Sequence, residues 1–303
     1  CKYFSTGGTG MERYLIINAD DYGVSLSANQ AVEHLFNEGF LTSTTLMTPC
    51  PWATEALHRA KSNKKMRVGL HLTFNAEYPL YKWGPVCRNR TVDSLLDENG
   101  FFYDTVPPLL QTAKPEDITT EMEAQYEFMT ERGILPTHMD NHMGSVYGLN
   151  GRPFLKEAFA FCAKHHLNFR LPRSAKNFAG LPEERKNAVS DIEAEADRLG
   201  IGILDDLFSH PNALTPNDTY ETVRDYYLNR IRSIDPGITE MFLHPARETE
   251  ELKAICGSWQ KRVWEYRLML DDTVFKTIES EGIRLVGWTD APFRNKQSSR
   301  KTS

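Results

Sequence analysis

Residues 14–23 read Tyr14-Leu15-Ile16-Ile17-Asn18-Ala19-Asp20-Asp21-Tyr22-Gly23. The run opens as a buried strand and closes on two adjacent carboxylates, which repel each other and are costly to desolvate. A positive group is expected to face them. Further short apolar runs follow: 42–48, 68–74, 137–142, 167–172, 202–208, 240–244 and 284–288. Between them lie segments with apolar residues at three- and four-residue spacing, near 27–38, 52–63, 116–132, 152–166, 182–199, 217–233 and 259–281. Ser27 is placed to cap the first of these helices, Pro115 opens another, and Gly133, Gly200 and Gly282 follow helix ends. A βα alternation repeated this often predicts an α/β fold, an irregular (β/α) barrel of seven or eight mostly parallel strands in a single domain. The stretch 75–115, rich in proline and aromatic residues, reads as a long loop, and loops of that length are usually functional.

Composition narrows the classes. The chain has 303 residues, 40% hydrophobic and 25% charged, and a formal net charge of −6. That balance argues against a protein that grips nucleic-acid phosphates. No run of about 18 apolar residues predicts a membrane span. Cys1, Cys50, Cys87, Cys162 and Cys256 are odd in number and contain no C-x-x-C pair, the pattern of reduced thiols in a cytoplasmic protein. Residues 1–10, which precede Met11, read as an N-terminal extension or expression remnant, 11–290 as the domain and 291–303 as a polar tail.

The polar residues gather at strand ends. Asp20 and Asp21 close the first strand, His71 lies near the end of the third, His138, Asp140 and His142 end the fourth, and His244 ends the seventh. In a parallel α/β barrel that is the face on which active sites are assembled. His71 shares strand parity with Gly69 and Thr73, opposite the apolar Val68, Leu70 and Leu72. His138, Asp140 and His142 project to one side of an extended chain. Aspartate with two histidines is a common open site for a divalent ion, and zinc, magnesium, manganese or cobalt all accept such ligands. A cation could hold one aspartate of the doublet and leave the other as general base. Tyr78, Tyr81 and Trp83 in the long loop could stack on a substrate ring, and Asp140 and Arg173 join them as substrate-contact candidates.

These motifs resemble the YdjC-like carbohydrate deacetylases: NADDYG at 18–23, LTSTTLM at 41–47, VGLHLT at 68–73, PTHMDNH at 136–142, FLHPA at 242–246 and an arginine-bearing helix near 262–268. The resemblance implies a divalent metal, magnesium or zinc, held by Asp21, His71 and His138. It implies hydrolysis of an N-acetyl group from an amino sugar or short oligosaccharide, with Asp20 as general base and His244 or His142 as acid, and relatives suggest a homodimer. Two departures bear on the substrate. Many members read T-H-x-D-S-H-x-H where this chain has THMDNHMG, and Pro245-Ala246-Arg247 follows His244 where a glycine or tyrosine often follows the His-Pro. Rival readings are a metal-dependent phosphoesterase or sugar isomerase, or a catalytically silent carbohydrate-binding protein.

Overall fold

The opening run forms β1 (Arg13–Tyr22), buried from Leu15 onward. Its two faces differ. Leu15, Ile17 and Ala19 enter the main core with the helices, whereas Ile16 packs with Leu204, Ile238, Trp288, Ala291 and Phe293 in a second apolar cluster. That division follows from the two-residue period of a strand. The computed structural model describes residues 12–148, 152–173 and 183–293. The expected extension at 1–10 and most of the tail lie outside them.

Around β1 the strands are β2 (Ser43–Leu46), β3 (Val68–Leu72), β4 (Met139–Asn141), β5 (Asp206–Phe208), β6 (Gly237–Leu243) and β7 (Arg284–Leu285). All ladders are parallel, in the order β4-β3-β2-β1-β6-β5, and β7 pairs with the first residues of β1. The sheet curls, and residues 168–173 lie between its two edges. Arg170 N donates to Met139 O (2.9 Å) on one side, and Leu204 N donates to Leu171 O (3.0 Å) on the other. This segment was expected to be a full strand, but it makes only isolated bridges, Met139 with Phe169 and Pro172 with Leu204. Pro172 has no N–H to give a ladder.

The helices are α1 (Leu26–Glu38), α2 (Ala53–Ser62), α3 (Val106–Thr112), α4 (Pro115–Thr130), α5 (Leu155–His165), α6 (Glu183–Leu199), α7 (Tyr220–Arg232), α8 (Glu250–Ile255), α9 (Trp259–Met269) and α10 (Asp272–Ser280). Single-domain α/β architecture is as expected, with three local differences. Ser25, not Ser27, caps α1: its backbone is extended (φ −152°, ψ 160°) and its hydroxyl accepts from Ala28 N at 3.2 Å. The helix expected over 259–281 is two, because the Asp271 carboxylate accepts from Thr273 N (2.9 Å) and starts a new one.

The third difference is the 75–115 stretch, which contains α3 and is knit to the body. Trp83 Nε1 donates to Asn75 O (2.8 Å), and the Glu121 carboxylate of α4 accepts from Val86 N (2.8 Å) and Cys87 N (3.0 Å). Leu95 and Phe102 are wholly buried there.

Among the described residues, no helix is long and apolar enough to cross a membrane. Cys50, Cys87, Cys162 and Cys256 are free and buried.

Candidate active site

The aspartate doublet sits where β1 leaves the sheet, and its backbone turns sharply. Asp21 adopts φ 60°, a left-handed conformation that aspartate tolerates better than most residues. Gly23 follows at φ 92°, where a Cβ would lie 2.9 Å from Leu46 Cδ1. The turn sends the two carboxylates to different partners.

Asp20 faces Arg170, which grips it with both terminal nitrogens at 2.6 Å each. Asn18 Nδ2 adds a third bond to Asp20 at 2.8 Å, and Ser43 Oγ orients Asn18 by donating to its Oδ1 at 2.6 Å. Burial raises the Asp20 pKa, but the Arg170 charge outweighs it, with His71 and His244 adding to the effect, and the carboxyl is held below its ordinary value.

Asp21 Oδ2 accepts from Arg262 Nη2 of α9 at 2.6 Å. Its Oδ1 is buried without a hydrogen-bond partner, although His71 Nε2 lies 3.3 Å away and His142 Nδ1 3.2 Å away. One oxygen and two nitrogens thus converge on a common point, in a group of three ligand atoms all within 4.8 Å of one another. Burial opposes ionisation of Asp21, yet Arg262 and then His142 keep its carboxyl well below the usual range. Burial alone would hold both rings neutral. Instead Asp140, followed by the other carboxylates, pushes His71 up to about 9, and Glu77 with Asp21 pushes His142 up to about 10. An orphaned carboxylate oxygen between two such rings is a donor set suited to a divalent cation, which would take the place of their protons.

Each ring is held from behind. His71 Nδ1 is 2.6 Å from Asp140 Oδ1, and His142 Nε2 is 2.8 Å from Glu77 Oε2. Asp140 Oδ2 accepts from Thr45 Oγ1 and lies against Arg170 Nη1, both at 2.9 Å. Asp140, expected in substrate contact, is wholly buried and meets His71, Thr45 and Arg170.

His138 is not brought to the Asp21–His71 pair; His142 stands where it was expected. The His138 ring stacks on Trp288 (centroids 4.7 Å, 8° between planes), deeper in the curl, with Nδ1 2.9 Å from Thr137 Oγ1. Gly69 leaves room for it, since a Cβ there would lie 2.5 Å from the ring. Burial, reinforced by Arg170, keeps His138 neutral.

Arg173 is also elsewhere. It pairs with Glu193 (2.6 Å) and Asp197 (2.9 Å) of α6 and lines a small pocket with Glu12, Tyr14 and Gly237 at the amino ends of β1 and β6. The arginines at the site are Arg170 and Arg262.

His244 stands at the end of β6. Its backbone N donates to Glu265 Oε2 at 2.8 Å, and its Nδ1, which has no hydrogen-bond partner, is 3.7 Å from the same oxygen. Glu265 Oε1 accepts from Tyr227 and from buried Lys261. Burial opposes its charge, but Lys261 and His244 keep it far below its ordinary pKa.

Tyr78 and Trp83 are buried and pack edge to face at 5.7 Å, while Tyr81 is half-buried. Trp83 stands 6.5 Å from the His142 ring. The loop aromatics therefore wall the site, and Tyr81 keeps the most open surface of the three.

Sequence reasoning missed Arg170, Glu77, Glu240 and Glu265. Arg170 left one signal, a lone cation inside the apolar run LNFRLP.

Known proteins resemble this chain along most of its length. Carbohydrate deacetylases of Thermoanaerobacter pseudethanolicus and Geobacillus stearothermophilus are each 27% identical, the first over 91% of this chain and 98% of its own length, the second over 92% and 98%. A solved Enterococcus faecalis V583 protein, described as a candidate for cellobiose-phosphate cleavage, superposes with a TM-score of 0.74 at 25% identity, covering 91% of this chain and 98% of its own. Residues 14–280 match the YdjC-like protein family. The chain belongs to that family.

Proposed function

We propose that this chain is a metal-dependent hydrolase that removes N-acetyl groups from amino sugars or short N-acetylated oligosaccharides. The observation that carries the reading is the convergence of Asp21 Oδ1, His71 Nε2 and His142 Nδ1 beside a separately held Asp20. The names of the relatives support the class of substrate. These three residues would hold the ion, and their mixed oxygen and nitrogen donors suit zinc or magnesium. When bound, the ion supplies Lewis acidity to the acetyl carbonyl and the attacking water.

Asp20 takes the proton from that water. Arg170 keeps it ionised and fixes its orientation, so it is ready without a titration step. His244 gives a proton to the departing sugar amine, and Glu265 Oε2 stands 3.7 Å behind its Nδ1. Tyr81 offers a ring face at the mouth, and Trp83 shields the His142 side from water.

The test is acetate release from a panel of N-acetylated mono- and disaccharides, with and without phosphate. Chelation should abolish release and added zinc or magnesium restore it. His142→Ala should lose metal and turnover together, while His138→Ala keeps its metal. Full metal occupancy in folded His142→Ala would move the site. Phosphate release without acetate would favour a phosphoesterase.

A further inference from the structure

The two histidines that face Asp21 are held by carboxylates of different kinds. His71 presents Nε2 to Asp21 and Nδ1 to Asp140, a strand residue that is wholly buried and braced by Thr45 and Arg170. His142 presents Nδ1 to Asp21 and Nε2 to Glu77, which stands on the connection after β3 with 24% of its side chain exposed. Around Glu77 that connection is tied to itself. Ala76 N donates to Tyr103 O (2.9 Å), Asn75 Nδ2 to Thr105 O (2.8 Å) and Lys82 Nζ to Ala76 O (2.6 Å). Trp83, whose indole donates to Asn75 O, lies beside the His142 ring.

We propose that Glu77 is a positioning residue that joins the 75–105 connection to the metal centre through His142, so that ion binding and the order of this connection are coupled. The inference rests on the metal reading above. A carboxylate that accepts from the Nε2–H of an imidazole fixes the tautomer with a free lone pair on Nδ1, sets the ring plane and raises the basicity of the ligating nitrogen. Loss of such a partner typically costs about 10–100-fold in metal affinity. Linkage makes the effect reciprocal, because an ion that selects this tautomer strengthens the hold of His142 on Glu77 and hence on the chain around it.

The experiment measures zinc affinity of the full chain by equilibrium dialysis, and amide hydrogen exchange over residues 75–105 with and without zinc, for the wild type, Glu77→Gln, Glu77→Ala and His142→Ala. Glu77→Ala should bind zinc about 10–100-fold more weakly, and Glu77→Gln less so, since its amide oxygen still accepts. Zinc should slow exchange across the connection in the wild type and leave it unchanged in Glu77→Ala. If His142→Ala loses zinc while Glu77→Ala binds it with wild-type affinity, the coupling is overturned and the metal reading stands. If the wild type binds no zinc, or His142→Ala binds it normally, the metal reading fails and takes this inference with it.

Discussion

On β1 the side chains turned into the curl run Ile16, Asn18 and Asp20, and on β6 they run Ile238, Glu240, Phe242 and His244. At the amino ends Ile16 and Ile238 pack against Leu204, Trp288 and Phe293. At the carboxyl ends Asp20 is gripped by Arg170, and His244 stands over Glu265. The same strands carry an apolar plug at one end and a charged site at the other, about 13 Å further along β1 and about 20 Å further along β6 at roughly 3.3 Å per residue. One residue, level with Ile16 in the β1–β6 register, belongs to both. Glu240 Oε2 accepts from Trp288 Nε1 of the plug at 2.8 Å, and its Oε1 is 2.5 Å from Arg170 Nε, too misaligned for a hydrogen bond. The contrast teaches that anchoring and chemistry are separated by depth along a strand.

The strongest way to break this separation is at the charged end. Asp20→Asn should lose about 10²–10⁴-fold in turnover, the usual contribution of a general base, while metal content and fold are kept. Metal analysis beside single-turnover rates checks it; loss of metal as well would join Asp20 to the ion site.

At the other end the reverse is expected. Ile16→Ala empties part of the plug and should destabilise by about 2–5 kcal/mol in denaturant melts. Turnover per folded molecule should change little. A large fall in turnover at full folding would show that the plug also sets the geometry above it.

The smallest effect is expected at the shared residue. Burial pushes the Glu240 carboxyl up to about 8, with Arg170 opposing and Asp20 and Asp140 adding to the rise. A carboxyl raised above its unfolded value contributes stability that is fully present below the unfolded pKa and lost as pH rises through the folded one. Between about pH 4.5 and pH 8 the wild-type melting temperature should therefore fall more steeply than that of Glu240→Gln. Parallel curves would show that Glu240 is ionised in the folded protein throughout that range.

How much of this was legible depended on the kind of signal. Strand parity turned His71 away from the apolar face of its strand and put His138, Asp140 and His142 on one side of theirs, because a period of two is written in the residues themselves. Parity says nothing about depth. His138 and His142 share a face, yet an extended four-residue step is about 13 Å, so only one of them can meet Asp21. The buried partners were less visible still. On α9 the buried residues include Lys261, Arg262 and Glu265, a charged face turned inward, where hydrophobic periodicity points the other way. Glu77 lies in a connection whose sequence has no period at all.

The ion pairs of the site also have a temporal meaning. Asp20 and Arg170 are 150 residues apart in the chain, and Asp21 and Arg262 are 241 apart. Closing such distances costs chain entropy that local helix contacts do not. During synthesis Asp21 must wait for α9 to emerge before it can pair with Arg262. This end of the sheet is thus completed late in synthesis, and a chain without α9 lacks the Arg262 bond that orients Asp21. The long-range pairs make the site report on completion of the chain.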